Sequence, residues 1–331
     1  MMKLGIGVIG TGLMGGMHAS IYSNLPNCNL IAVADLDEGA LKRVSQDLNV
    51  KGYKDYKKML DNEPEIKIVS ICTPDKTHLQ VAKEVIKREI NLLIEKPIAR
   101  TIEDSKKIID LAEENDVKLM TAHLLRFDAS YAQAYQSVRT GEIGKIVQIY
   151  TRRNDIITDA RRLGGRTTLP LYLGVHDYDI MNWFIQEKAE SVYGVSNSLV
   201  LKDLNIPDSI FATFKYKDGT IACWEGSWIM PESIGKSDMA MEIVGTKGTI
   251  YVDAYNTGLR IHTDNFKMPD TMYNAKVGKR STGALREQLI HFVDCVINDK
   301  KPLISGSDAL EAVRMACAVE ESINKGKVVL I

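Results

Sequence analysis

The sequence predicts an α/β amino-terminal half, a doubly wound parallel sheet, followed by an α+β half with an open, largely antiparallel mixed sheet. Three observations predict it. Up to about residue 120, continuous Val/Ile/Leu runs alternate with amphipathic helices, as in a sheet covered on both faces. A glycine-rich turn follows the first run. Beyond about residue 123 the strand-like runs lengthen and alternate apolar with polar, as in a sheet with one face covered. The domains implied are 1–122 and 123–331, with the late helices able to pack back on the first. A chain of 331 residues, 45% hydrophobic and 26% charged, is long enough for two cores.

The first strand, "KLGIGVIG", is followed by a glycine turn and a helix to about Asn24. Then come "NLIAVAD" and a helix from Asp37, "IKIVSICTP" and a helix from about Lys76, and "INLLIEKP" with a helix opened by the Thr101-x-x-Asp104 capping signal. "VKLMTAH" closes this half. A helix over about Ala129–Thr140 leads into "GKIVQIYTRR", and Leu169–Phe184, "LPLYLGVHDYDIMNWF", reads as one buried helix. "SIFATFKY" and "TIACWEGSW" join at Asp218-Gly219, a hairpin signal; "MAMEIVG" and "GTIYVDAY" turn through Thr246-Lys247-Gly248. Two helices, about Ser281–Asn298 and Ser307–Lys325, precede a last short strand.

Several function classes are disfavoured. A formal net charge of -1 gives no general reason to expect nucleic acid or an anionic membrane as partner. No run reaches the roughly eighteen apolar residues of a membrane span, and "MMKLGIGVIGTG" reads as a strand rather than a secretory signal. Cys28, Cys72, Cys223, Cys295 and Cys317 lie far apart with no C-x-x-C. That spacing argues against zinc, other metal sites or disulfides, and for a cytoplasmic protein.

Gly10-Thr11-Gly12-Leu13-Met14-Gly15 ends the first strand and opens a helix. Backbone amides and a positive helix end can there face a pyrophosphate that side chains would block. Asp35 ends the second strand, where a carboxylate accepts from ribose hydroxyls and repels a 2′-phosphate, which predicts NAD rather than NADP. Asp37 is the better placed helix cap. Thr73-Pro74 and Glu95-Lys96-Pro97 end later strands, and ligands of such sheets bind outside the carboxyl ends. An ammonium at Lys96 can polarise a hydroxyl or carbonyl oxygen during hydride transfer; the alternative is a solvated loop charge.

His176 is followed by two acids, Asp177 and Asp179, with a tyrosine between them. The histidine can move protons near neutrality or be a satisfied core residue. At helical spacing Tyr172, His176 and Asp179 share one stripe. Arg152, Arg153, Arg161, Arg162 and Arg166 precede them; guanidinium forks suit carboxylates or phosphates, with a solvated face or a subunit contact as alternatives. Trp224 and Trp228 read as core and sheet face, or as contacts to a partner subunit.

In order along the chain, the glycine motif, "CTPDKTH", "IEKPIA", "HLLRFD" and "GVHDYDIMNWF" resemble the glucose-fructose oxidoreductase and inositol dehydrogenase family, Gfo/Idh/MocA. The tail "REQLIHFVDCVINDKKPLISGSDALEAVRMACAVEESINKGKVVLI" is similar as well, so the resemblance spans nearly the whole chain. It implies a Rossmann domain, then a domain whose open sheet serves substrate binding and assembly into a homodimer or homotetramer. It also implies nicotinamide-dependent oxidation or reduction of a secondary hydroxyl on a sugar, sugar acid or cyclitol.

Carried over by position, the resemblance puts Lys96 at the substrate hydroxyl and nicotinamide ribose, and makes His176 the base in oxidation and the acid in reduction. Gly10, Thr11, Gly12, Leu13, Met14, Asp35, Thr73, Pro74, His78, Glu95, Lys96 and His123 fall at the dinucleotide. Arg126, Arg153, Arg166, Tyr172 and His176 fall at the substrate, with a structural pairing of His123 and Arg126 at the domain junction as the alternative for those two. Asp179 matches an aspartate that orients nearby groups or is structural. The departure is Tyr172, at a position where many members carry an aspartate one turn before the histidine. Its phenol can hydrogen-bond or stack on a sugar as a third catalytic group, but brings no negative charge at neutral pH. Two alternatives stay open: a cofactor-retaining enzyme that oxidises transiently for a net non-redox sugar reaction, and a catalytically weakened nucleotide sensor.

Overall fold

Unbroken apolar runs become the strands of a parallel sheet, because a strand covered on both faces has no polar side to show. A computed structural model describes residues 3–232, 237–253, 261–262, 266–267, 270–278 and 280–331. The chain divides into two compact units, Met1–His123 with Lys276–Leu310, and Leu124–Ala275 with Glu311–Ile331.

In the first unit β1 (Leu4–Ile9), β2 (Cys28–Ala34), β3 (Lys51–Tyr53), β4 (Ile66–Ile71), β5 (Asn91–Ile94) and β6 (Leu119–Thr121) form one parallel sheet in the order β3-β2-β1-β4-β5-β6. Ile6, Val8, Val33, Ile68, Val69, Leu92 and Leu93 are wholly buried in it. Strand order reverses between β1 and β4, so their carboxyl ends border the crevice in which such sheets bind ligands. The helices α1 (Leu13–Tyr22), α2 (Glu38–Leu48), α3 (Tyr56–Asn62), α4 (His78–Ile86) and α5 (Ile102–Glu114) alternate with the strands.

Capping chemistry sets several of these starts. Asp37 accepts from the Ala40 amide at 2.8 Å and Thr101 Oγ from the Asp104 amide at 3.1 Å, each satisfying an orphan N–H. The sequence reading passed over β3 and α3, which are too short to show a period. The late helix Ala284–Ile297 packs on α1 within this unit.

In the second unit a helix, α6 (Ala129–Arg139), starts at the Asp128 cap and leads to β7 (Ile146–Ile156). With β8 (Ala189–Asn197), β9 (Ser209–Tyr216), β10 (Ile221–Met230), β11 (Asp238–Gly245), β12 (Thr249–Asp253) and the strand Val329–Leu330, it forms a seven-stranded sheet. All pairs are antiparallel except β10 with β7. Alternation is clear in β9: Ile210, Ala212, Phe214 and Tyr216 are buried, while Phe211, Thr213 and Lys215 are exposed. The β9–β10 hairpin turns where expected, with Gly219 at φ +90°. The Gly245 amide meets the Gly248 carbonyl at 2.8 Å in the β11–β12 turn.

After β7 comes α7 (Ile157–Leu163), a short helix the sequence reading did not include. The single helix expected over Leu169–Phe184 is in fact two pieces, a π-helical turn at Pro170–Gly174 and α8 (Val175–Ile185). The Val175 amide reaches back to the Pro170 carbonyl, one residue beyond the α-helical partner. Trp224 and Trp228 are wholly buried and donate to Asp177 and to the Pro207 carbonyl, so neither is a contact for a partner subunit. Among the described residues no helix is long and apolar enough to cross a membrane.

Candidate active site

The three motif glycines have three different reasons to be glycine. Gly10 turns at φ +91°, and a Cβ there would lie 2.6 Å from the Cys72 carbonyl oxygen, so the loop can close against the end of β4 only without a side chain. A Cβ on Gly15 would lie 1.7 Å from the Gly10 carbonyl oxygen, which lets α1 sit directly on the loop. Gly12 is the opposite case. A Cβ there meets nothing within 4 Å, and α1 has no side-chain cap over its first amides. The cradle in front of Gly12 is therefore open with its N–H donors available, which fits a dinucleotide pyrophosphate. Leu13, 69% exposed, stands at its edge, and Met14 is half-buried.

Asp35 faces the same loop. Its Oδ2 accepts from the Thr11 amide at 2.5 Å and from Thr11 Oγ at 3.0 Å, and its Oδ1 accepts from the Asp37 amide at 2.9 Å. The carboxylate thus braces the glycine turn at the end of β2, and the capping of α2 is left to Asp37. Leu36, next to it, is 80% exposed at the strand end, a residue the sequence reading did not single out.

At the end of β4, Thr73 is half-buried and Pro74 exposed. His78 is buried, with Nδ1 3.0 Å and 3.2 Å from the Pro97 and Ile98 carbonyls and Nε2 2.9 Å from the Thr73 carbonyl. It ties the Thr73 turn to the Pro97 turn.

Glu95 also points inward. It is 8% exposed, with Oε1 3.2 Å from His18 Nε2 and Oε2 accepting from the Lys96 amide at 3.3 Å. Burial by itself raises this carboxyl, but His18 and the charges at Lys96 and His78 outweigh it and hold the group below its ordinary range. Lys96 is half-buried at the end of β5, joined to Pro97 by a cis peptide bond. His123, just beyond β6, is buried.

In the second unit, α8 carries His176, half-buried and followed by two acids that are both locked. Asp177 accepts from Arg153 Nε at 2.8 Å and Nη2 at 3.0 Å, and from Trp224 Nε1 at 3.1 Å. Asp179 accepts from Arg126 Nε at 2.9 Å and Nη2 at 2.6 Å. All four charged side chains are buried. Each guanidinium fork closes on its own carboxylate in the interior. Arg166 is exposed and donates to the Leu163 and Arg162 carbonyls at 3.0 Å and 2.9 Å, closing the end of α7. Arg152, Arg161 and Arg162 pair with Asp238, Asp203 and Asp159. The arginines are five separate contacts rather than one cationic rim.

Tyr172 lies in the π-helical turn, half-buried, its hydroxyl 3.3 Å from Arg162 Nη2 and its ring 6.5 Å from that of Trp228. Burial above all, with Asp159 and Asp155 nearby, pushes its phenol up against the opposing pull of Arg162, so it is neutral at neutral pH. Gly174 closes this turn because a Cβ there would lie 2.6 Å from the Tyr178 ring.

A family model described as an oxidoreductase family with an NAD-binding Rossmann fold, Gfo/Idh/MocA, matches residues 4–123, and its C-terminal α/β domain matches residues 136–331. The chain belongs to this family. As a Gfo/Idh/MocA oxidoreductase it is similar to the myo-inositol 2-dehydrogenase of Thermotoga maritima, 25% identical over 327 residues, 97% of this chain and 96% of that protein. It is also similar to the 2,7-anhydro-N-acetylneuraminate hydratase of Escherichia coli, 26% identical over 280 residues, 80% of this chain and 73% of that protein. The scyllo-inositol dehydrogenase of Lactobacillus casei, solved with NAD(H) and scyllo-inositol, shares the fold at a TM-score of 0.86 and 22% identity over 99% of each chain.

For this Gfo/Idh/MocA chain, motif reading missed His18, Ser70 and Asp177. The only signal they left was a polar residue inside an apolar run, which the interior tolerates when the residue is hydrogen-bonded.

Proposed function

We propose that the chain is an NAD-dependent dehydrogenase of a secondary hydroxyl on a sugar, sugar acid or cyclitol, acting in the cytoplasm as a homodimer or homotetramer. The observation that carries this reading is the open cradle at Gly12 with Asp35 braced beside it. A carboxylate there repels a 2′-phosphate, which favours NAD over NADP. The names of the inositol dehydrogenases to which the chain is similar support the substrate class. Exposed apolar side chains on the outer face of the second sheet, Val195 opposite Phe211 with Tyr193 beside them, support self-association.

When bound, NAD supplies the hydride acceptor. Lys96 donates a hydrogen bond to the reacting oxygen and stabilises the charge it develops. His176 takes the hydroxyl proton in oxidation and returns it in reduction, and its two acidic neighbours, neutralised by Arg126 and Arg153, hold the helix that presents it. Tyr172, neutral, hydrogen-bonds a ring hydroxyl. The test is NADH formation from a panel of inositols, sugars and sugar acids. Lys96→Ala and His176→Ala are each expected to lose about a hundredfold or more in turnover with little change in NAD affinity; parent-like activity in both overturns the assignment. The likeness to a hydratase favours a second reading, transient oxidation in a net non-redox sugar reaction, and product without net NADH selects it.

A further inference from the structure

Beneath the Lys96 turn runs a buried polar line that the proposed reaction does not use. The Tyr22 phenol on α1 lies 3.0 Å from Ser70 Oγ on β4, and that oxygen lies 3.2 Å from His18 Nδ1. The other nitrogen of the same ring, Nε2, lies 3.2 Å from Glu95 Oε1, and Glu95 adjoins Lys96. Tyr22, Ser70 and His18 are wholly buried.

A buried imidazole must satisfy both nitrogens, and here the two sides differ in kind: Glu95 faces Nε2, while Ser70 Oγ and, at 3.6 Å, Cys72 Sγ face Nδ1. A carboxylate only accepts, so its charge 3.2 Å from Nε2, an ion-pair contact without hydrogen-bond alignment, favours the ring proton on that nitrogen. Nδ1 then accepts from Ser70, which in turn accepts from Tyr22, whose phenol burial keeps protonated. The whole line is therefore directed at Glu95. The other groups facing that carboxylate are Lys96 beside it, His78 from α4, and Cys72 beyond β4, whose thiol is pushed up first by burial and then by Glu95 and so carries no charge.

We propose that His18 is a positioning residue for Lys96: its 3.2 Å contact holds the Glu95 carboxylate in the place where that group also accepts from the Lys96 amide, and so sets the field at the Lys96 turn. Its functional meaning rests on the role of Lys96 in the dehydrogenase reading, but its test needs no substrate. Competitive acetylation of the full chain with acetic anhydride across alkaline pH, read by peptide mass spectrometry, gives the midpoint at which the Lys96 amine becomes reactive. His18→Leu and Glu95→Gln are each expected to lower that midpoint by about one pH unit, tenfold in proton affinity. The double variant is expected to go no lower than Glu95→Gln, because both changes break one link.

An unmoved midpoint in folded His18→Leu, or a His18→Leu effect that persists in full on the Glu95→Gln background, overturns the proposal. If His18→Leu fails to fold, nitrogen NMR of the imidazole in the unaltered protein decides: a ring proton on Nε2 supports it, and a neutral ring protonated on Nδ1 overturns it. A shifted midpoint together with no turnover on the sugar panel leaves the link standing and removes only the dehydrogenase reading.

Discussion

The two units present their functional groups by different means. In the first, the cradle is made of main chain: glycines set by contact distance, amides at the start of α1, and one carboxylate bracing the turn. In the second, His176 rides on a helix held by side-chain charge, through Asp177 and Asp179 and their buried arginines. A main-chain site is limited by space, so it can lose its ligand while the fold stays intact. A charge-clamped helix is limited by neutrality in a low-dielectric interior, so damage there falls on folding first.

Breaking a clamp gives the largest expected effect. Asp179→Ala leaves Arg126 buried without its counter-charge and is expected to cost about 3–5 kcal/mol in urea unfolding. A loss under about 1 kcal/mol would mean the clamp does not hold the helix. Gly10→Ala comes next, at about 1–3 kcal/mol in the same measurement, because it combines φ +91° with a 2.6 Å approach to the Cys72 carbonyl.

Gly12→Ala sharpens the contrast from the other side. Its Cβ meets no protein atom, so stability is expected to stay within about 0.5 kcal/mol of the parent. NADH affinity, by fluorescence titration, is expected to fall about tenfold, ~1.4 kcal/mol. Equal losses in both quantities would refute the open cradle. The smallest effect is expected from Tyr172→Phe, which removes one neutral hydroxyl: about 0.5–1.5 kcal/mol in kcat/KM on the best substrate, with little change in stability.

Legibility in the sequence follows the same division. The glycine motif, the Asp37 and Thr101 caps and the Asp218-Gly219 hairpin act over a few residues, and reading the chain found each of them. The short β3 and α3 carry too few residues to show a period. The π-helical turn at Pro170–Gly174 depends on Tyr178 packing over Gly174, a contact that a helical pattern does not encode. The arginines were found as residues but grouped wrongly, because a guanidinium's partner is chosen in space: Asp177 lies 24 residues from Arg153, and Asp179 lies 53 from Arg126. His18 and Ser70, 52 residues apart, each showed only as a polar residue in an apolar run, with nothing to pair them.

Hydrophobic period, turn residues and the glycine spacing were enough to settle the two sheet types and the presence of a dinucleotide loop, since each arises from neighbours along the chain. Which carboxylate each arginine meets, that His78 and Glu95 turn inward, and that a histidine line runs beneath Lys96 were decided only when distant segments packed. Burial without water leaves a charged or polar group to whichever complementary group the fold brings within reach.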